Sequence, residues 1–353
     1  MHSGCMHSPG ISENEFVAVA RNEEAGIERP STRPLVSVVM PMRNAELYVE
    51  KALQSVLIEH DVHLEVVVVD DGSSDRSRAI VDRIQDSRVR VISGPQRGFA
   101  ASWNAGVQAS RGEILMQCDA DDFFAVGRIC HQASWLLANE EFDAVCAAMA
   151  MMDATGHLVS EEGLNVGTGM PISISHELIS GVVRTSLCTY ALRRRVFDQV
   201  GIMREYFETA PDVDFQLRLA EQCTIAFFPY CCYLYRLHNS SITHTQAASR
   251  RQFFEAMAHT LQEERQRTGT DALSLGKALS PPRGTDAPTA VTDQVQGMLI
   301  GRSWTELVQG KRRQSAQTAI RAALIRPFKF HGWVSLAKVL IRASIRKGTY
   351  KVD

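Results

Sequence analysis

Apolar positions in the first third of the chain switch between two periods. Leu35 to Met40, LVSVVM, and Leu64 to Val69, LEVVVV, are short runs rich in β-branched residues, the pattern of strands buried on both faces, and the first stops at Pro41. Between them, after Asn44, the residues Val49, Ala52, Leu53, Val56 and Leu57 recur at the spacing of one helix face. The pattern predicts a second helix through Ala79, Ile80 and Ile84, a third strand over Val89 to Ile92, and a fourth through Ile114, Leu115 and Met116. Alternation of strand and helix implies a mainly parallel sheet covered on both faces. In such open sheets the ligand sits outside the carboxyl ends of the strands.

Those ends carry the candidate chemistry. The first runs into Pro41, Arg43 and Asn44, the second into Asp70 and Asp71 followed by Gly72, Ser73, Ser74 and Asp75, and the fourth into Asp119, Asp121 and Asp122. Carboxylates crowded at a strand tip repel one another, and a hard divalent cation with oxygen ligands relieves that repulsion. A solvated turn rich in Asp, or a helix-capping turn in the case of Asp70 to Ser74, is the bland alternative for either cluster taken alone. Two acidic strand ends in one sheet favour a site. Between them Gly94 to Gly106, GPQRGFAASWNAG, offers small residues for close approach of a ligand and Arg97 as a charge for phosphate.

Composition bounds the rest. A chain of 353 residues with 45% hydrophobic content holds one large α/β domain with an extension, or two domains. Its 38 basic and 40 acidic residues leave a net charge of −2, which excludes a polyanion-binding molecule as a whole. From Lys311 to Asp353, however, eleven Lys or Arg face a single acid. Eight cysteines without a metal-type CxxC pair argue against a zinc site or disulfide framework and fit a reducing, cytoplasmic setting. Residues 1–34 are mixed polar and read as a loosely ordered tail, and no run of about 18 apolar residues suggests a membrane span.

With these pieces in order, residues 35–245 resemble the family 2 glycosyltransferases. VSVVMPMRN at Val36 to Asn44 is similar to that family's opening strand and loop, VVVVDDGSSD at Val66 to Asp75 to its nucleotide-binding turn, GFAASWNAG at Gly98 to Gly106 to its donor-side helix start, and ILMQCDADD at Ile114 to Asp122 to the strand ending in its DxD motif. The resemblance implies a GT-A fold, Rossmann-like with a mixed, mainly parallel sheet between helices, and a nucleotide-sugar donor, UDP-linked by family frequency, held through Mn or Mg. It implies Asp71 as partner of the nucleobase, Asp119 as contact to ribose or metal-bound diphosphate, Asp121 as principal metal ligand, and Asp122 as supporting or turn-capping. Pro41, Arg43, Arg97 and Asn104 fall on the donor side of the same motifs. Downstream, YFETAPDVDFQLRLA at Tyr206 to Ala220 places Asp212 where inverting members carry the general base, with Pro211 in place of the usual Glu. Asp214 is the rival base, or a first-turn acid complementing the helix dipole. The segment Thr224 to Thr243 is read as a strand pair ending in Tyr235, Arg236 and His238, similar to a family tail whose His ligates the metal or touches diphosphate; Arg236 is a candidate phosphate clamp.

Beyond 245 the resemblance fades. Residues 246–353 are expected to form a helical extension with a mobile linker near 268–292 and a basic end. Helical spacing recurs over Phe253 to Arg265, Trp304 to Leu307 and Ala316 to Leu324. In the last helix candidate Trp333, Leu336, Ala337, Leu340 and Ile341 are expected on one face, with Lys338, Arg342 and Arg346 elsewhere. Two roles stay open for it: lying on an anionic membrane surface, where a lipid-linked acceptor would be found, or packing as a helical hairpin with a solvated basic face. No aromatic-basic interleaving of a nucleic-acid module is present. The expected function is inverting, metal-dependent transfer to an acceptor hydroxyl, in polysaccharide, lipopolysaccharide or other glycoconjugate synthesis of the cell envelope, with a glycan or lipid-linked acceptor. A non-catalytic nucleotide-sugar-binding relative is the first alternative. A nicotinamide-dependent Rossmann enzyme is the second, disfavoured because no GxGxxG follows the first strand.

Overall fold

The computed structural model describes residues 34–60, 62–160, 170–241, 245–277, 280–282 and 290–344. The expected tail over 1–33 and parts of the expected linker lie outside the described residues. The chain divides into two compact units. The first takes the described residues up to 150, between 162 and 235, and between 248 and 285; the second takes 151–161, 236–247 and those from 286 onward.

The first unit is built on a sheet whose strands are β1 (Val36–Met42), β2 (Leu64–Asp70), β3 (Val89–Ser93), β4 (Ile114–Gln117), β5 (Phe123–Phe124), β6 (Ala144–Asp153), β8 (Ile172–Ser173), β9 (Ala191–Arg193) and β10 (Ile225–Leu237), with β7 (Leu158–Ser160) pairing β6. The order is β3-β2-β1-β4-β9-β6-β10-β5, with β8 against β10. Strands β1 to β4 pair in parallel, and β9 joins β4 antiparallel. The runs that read as doubly buried strands are so: Val36, Val38, Met40, Val66 and Val68 belong to one apolar layer, and Val39, Val67 and Val69 to the other. Period-two alternation sends neighbours to opposite faces, which is why both faces must be covered.

Helices cover them as α1 (Val49–Leu57), α2 (Ser77–Val81), α3 (Phe99–Ala109), α4 (Arg128–Ala138), α5 (Ser175–Ile179), α6 (Arg195–Val200), α7 (Pro211–Gln222) and α8 (Ala248–Thr268). The five residues expected on one face of α1 are the five it buries. Helix α2 is shorter than its period suggested and buries Ser77 and Val81, while Ile80 and Ile84 pack at the edge of the core. Helix α3 lies so close to β1 and β2 that a Cβ on Gly106 would stand 2.3 Å from Val39 Cγ1 and 3.0 Å from Val69 Cγ2. The segment from Thr224 is one long strand, β10, and not a pair: Pro229 is accommodated within it, and no Gly, Asn, Asp or Ser follows to turn the chain before Leu237.

Helix α8 was expected in the C-terminal extension but belongs to the first unit. Its Phe254, Met257, Ala258 and Leu261 form a buried cluster with Phe207 and Leu217. The turn that follows, inside the expected linker, is anchored by buried Asp271, which accepts from Ser274 N–H at 2.8 Å and from Arg204 and Arg265 at 2.7 and 2.6 Å.

The second unit holds β7, the ends of β6 and β10, and the helices α9 (Val291–Val308), α10 (Arg312–Ile325) and α11 (Phe330–Ser344). Ala319, Ala323, Leu336 and Val339 form its buried cluster with Trp304 at the edge. No described helix is long and apolar enough to cross a membrane.

Candidate functional site

The loops after β1 and β2 are stitched to each other. Asn44 takes a left-handed conformation (φ 52°) and its Oδ1 accepts the Ser74 N–H at 2.8 Å, while its own N–H donates to Ser73 Oγ at 3.1 Å. Ala45 N–H donates to Ser77 Oγ at 2.7 Å, and Asp75 accepts from Glu46 N–H and from Ser77. Asn44 therefore braces the second strand end and does not cap α1, which starts at Val49. Asp70 accepts the Ser73 N–H at 3.0 Å in a local turn. The segment Asp70 to Ser74 is thus a local turn and not a helix cap, since α2 starts at Ser77 behind Arg76 without a side-chain cap, and Asp71 has a different task.

Asp71 is buried and accepts the N–H of Gln96 at 2.7 Å through Oδ1 and that of Gly98 at 3.2 Å through Oδ2. Its carboxylate thus sets the glycine loop before α3. Gly98 at φ 93° and Gln96 at φ 56° adopt conformations that a β-branched residue would not, and a Cβ on Gly94 would stand 2.8 Å from Asp71 Oδ1. A carboxylate has about four lone-pair directions, so two bonds to the loop leave acceptor capacity for a ligand.

At the tip of β4 the three acids separate in role. Asp122 is buried and accepts the Tyr233 hydroxyl at 2.9 Å; that hydroxyl in turn accepts the Asp119 N–H at 3.0 Å. Asp122 is a structural member of the tip. Asp119 is partly buried, and its Oδ1 accepts the Gln117 side-chain N–H at 2.8 Å. Desolvation raises its carboxyl above the usual range, and the charges of Asp121 and Asp212 raise it further against the opposing Gln117 bond. Asp121 is also partly buried.

Asp212 occupies the first turn of α7. Ala210 precedes the helix at φ 56°, and Pro211 stands at its first position, where the missing N–H costs nothing and the fixed φ suits the helix. Asp212 Oδ2 accepts the Ser186 hydroxyl at 3.0 Å. Burial raises its carboxyl, opposed by that bond and by backbone N–H groups at its own position and Val213. Asp214, the rival, is fully buried and committed: Arg204 binds it through two nitrogens and Arg218 Nε donates at 3.0 Å. It is a structural anion, not a base facing a ligand.

Other expected donor residues diverge. Pro41 lies within β1 opposite Val69, and Arg43 is exposed just beyond it. Arg97 is exposed and pairs with Glu205 at 3.0 Å. Asn104 is buried with its amide closed on Met203, donating to the carbonyl at 2.9 Å and accepting the N–H at 3.0 Å, so it braces that loop and has no side-chain group directed at a donor. Arg236 and His238 belong to the second unit: Arg236 Nη1 donates to the Ala154 carbonyl at 3.1 Å in the hairpin of β6 and β7, and His238 Nδ1 lies 2.8 Å from Ser240 Oγ.

Ser186, Gln117 and Tyr233 were missed. Gln117 had a signal, a polar side chain in an otherwise apolar strand two residues before Asp119. Ser186 and Tyr233 had none, since their partners are set by long-range packing.

Among the described residues no group of three or more His, Cys, Asp or Glu converges as a metal cage. The residues still fit a divalent cation that takes most of its oxygens from a bound phosphate and water. Asp119 and Asp121, two residues apart at the tip of β4 and both partly buried, offer hard carboxylate donors of the kind such a cation takes.

Residues 37–201 match the family model described as Glycosyl transferase family 2. An uncharacterized glycosyltransferase of Haemophilus influenzae is 35% identical over 30% of this chain and 44% of its own length. Chondroitin synthase of Pasteurella multocida is 25% identical over 62% of this chain and 22% of its own, and hyaluronan synthase of Pasteurella multocida 26% over 59% and 21%. The match thus spans less than half of each of these relatives. Among solved structures, S. aureus TarS 1-349 in complex with UDP-GlcNAc aligns with a TM-score of 0.50 and 17% identity over 86% of this chain and 88% of that one, a likeness in fold alone. With the sheet order, it identifies the fold as GT-A.

Proposed function

We propose that the protein, whose residues 37–201 match the model of glycosyl transferase family 2, moves a sugar from a nucleoside-diphosphate donor, with UDP as carrier, to an acceptor hydroxyl. The observation that carries this reading is that β2 and β4, parallel to β1 on either side of it, end in Asp71 and in Asp119 to Asp122, so that two acidic strand ends open on one edge of the sheet. Asp71 accepts from the nucleobase beside the glycine loop it already orders. Asp119 and Asp121 would hold Mn or Mg, and the bound ion would offset charge gathering on the departing diphosphate.

Asp212 takes the acceptor proton. Its carboxyl, made more basic by burial and held in orientation by Ser186 Oγ, suits a general base. With the base on one side of the anomeric carbon and the diphosphate on the other, displacement is in line and inverts configuration. The complex of TarS with UDP-GlcNAc supports UDP as carrier, and the chondroitin and hyaluronan synthases support a glycan acceptor, as in envelope polysaccharide synthesis.

The test is UDP release with a panel of UDP-sugars and Mn, comparing wild type with Asp212→Asn. The expected result is a loss of turnover of at least ~100-fold with donor affinity retained, the scale of losing a positioned base. Full activity in the variant would move the base elsewhere. Donor binding without transfer in the wild type, across a panel of glycan acceptors, would favour the non-catalytic alternative.

A further inference from the structure

The second unit displays a helix whose apolar face points outward. Along α11, Gly332, Ser335, Leu336 and Val339 are buried, and the fit at Gly332 is close: a Cβ there would lie 2.6 Å from Gln296 Nε2 and 3.0 Å from the Cα of Ala323. Gln296 Nε2 itself donates to the Ala322 carbonyl at 2.8 Å. This contact fixes the roll of the helix. Leu336, expected beside Trp333 and Leu340, is instead on the inward side.

What remains outside is an apolar stripe. Phe330 is 80% exposed, Trp333 41%, Leu340 44% and Ile341 63%, and at helical spacing these residues and Ala337 follow one another along one side. The connection from α10 adds Phe328, fully exposed at 101%, beside exposed Lys329. Lys338 borders the stripe, whereas the Arg342 guanidinium turns away from it and lies over Trp304 at 4.9 Å from the ring centroid. Isolated exposed apolar residues need no explanation, whereas a contiguous stripe with two protruding Phe side chains does.

Charge identifies the occupant. From Val308 to Ser344 the sequence has eight Lys or Arg and no Asp or Glu. An apolar stripe with an aromatic tip, edged by cations and without a single acid, is complementary to a surface that is apolar beneath and anionic above. Arg321 and Arg326 pair with Asp153 and Asp293, which leaves Lys329 and Lys338 as the exposed cations beside the stripe, a sparse positive edge that suits lipid headgroups.

We propose that the α10–α11 connection and the outward face of α11 form a monotopic docking surface for anionic lipid bilayers, with Phe328, Phe330, Trp333 and Ile341 entering the acyl boundary and Lys329 and Lys338 meeting lipid phosphates. This goes beyond the transfer reaction and is independent of it: the surface stands or falls on binding, whatever Asp212 does.

The experiment is flotation of the full chain with vesicles of phosphatidylcholine alone, or with phosphatidylglycerol as about a third of the lipid, at low salt and at about 1 M NaCl, where screening shortens the Debye length to ~3 Å. Wild type is expected to float with anionic vesicles at low salt and to be largely released by neutral lipid or high salt. Phe328→Ser with Phe330→Ser should lower the floating fraction at least ~10-fold, and Lys329→Glu with Lys338→Glu should do the same, because both apolar burial and charge are needed. All four positions are exposed, so circular dichroism and Tm should match wild type. Failure of wild type to float with anionic vesicles at low salt, or equal flotation of both variants, would overturn the proposal. A concentration-dependent dimer of wild type, lost in the Phe variant, would also overturn it by assigning the face to a second copy.

Discussion

At the scale of single residues, the acids Asp71, Asp119 and Asp121 were legible because each follows an apolar run that must end at the surface, and strand ends are where open sheets bind ligands. Their division of labour was less visible. Asp122, expected as supporting or turn-capping, accepts from Tyr233, and Asp214, open between rival base and first-turn acid, is held by Arg204 and Arg218. Ser186 is the residue whose role pattern alone did not suggest. Its hydroxyl stabilises the ionised form of Asp212, so removing it should raise the Asp212 carboxyl further. The account predicts that in Ser186→Ala the acid limb of the kcat/KM profile moves to higher pH, with Ser186→Thr restoring it. An unmoved limb would detach Ser186 from the base.

At the scale of elements, α1 was read to the residue and α8 was misplaced. The first has an apolar face that packs on the nearest strands, which periodicity reports; the second packs through contacts with Phe207 and Leu217 that periodicity cannot assign to a partner. No element was read between 125 and 205, where α5 and β9 have only five and three residues and α4 buries the polar Arg128 and Gln132 on its inward face. Helix α7 is tied to α8 by buried ions: Arg204 bridges Asp214 and Asp271, and Arg265 bridges Asp271 and Glu221. Asp214→Ala leaves Arg204 and Arg218 without their buried partner and should cost about 3–5 kcal/mol in urea denaturation.

Burial alone would raise the Asp271 carboxyl, but Ser274 N–H, Arg265 and Arg204 outweigh it and hold it below the usual range. Its contribution to stability is therefore whole above the unfolded value of about 4 and declines as pH falls from there toward the depressed folded value. Asp271→Asn should be less stable at neutral pH and lose less on acidification, a difference readable from Tm against pH.

At the scale of the whole molecule, an overall charge of −2 conceals a C-terminal stretch without acids, and only the position of Gly332 against Ala323 shows which face of the last helix is left outside. Sequence order established the arrangement of donor motifs, while the base and its support required β4, α7 and the segment around Ser186 to be brought into one unit. The central claim is that the tip of β4 is a metal-dependent donor site. Calorimetric titration of UDP tests it most directly, with and without Mn, in wild type and Asp121→Ala. The account predicts saturable binding to wild type that weakens at least ~10-fold without Mn or in the variant, as expected when a carboxylate that shares a cation with a diphosphate is lost. Binding of equal strength in all conditions, or no binding of UDP to wild type with Mn, would contradict it.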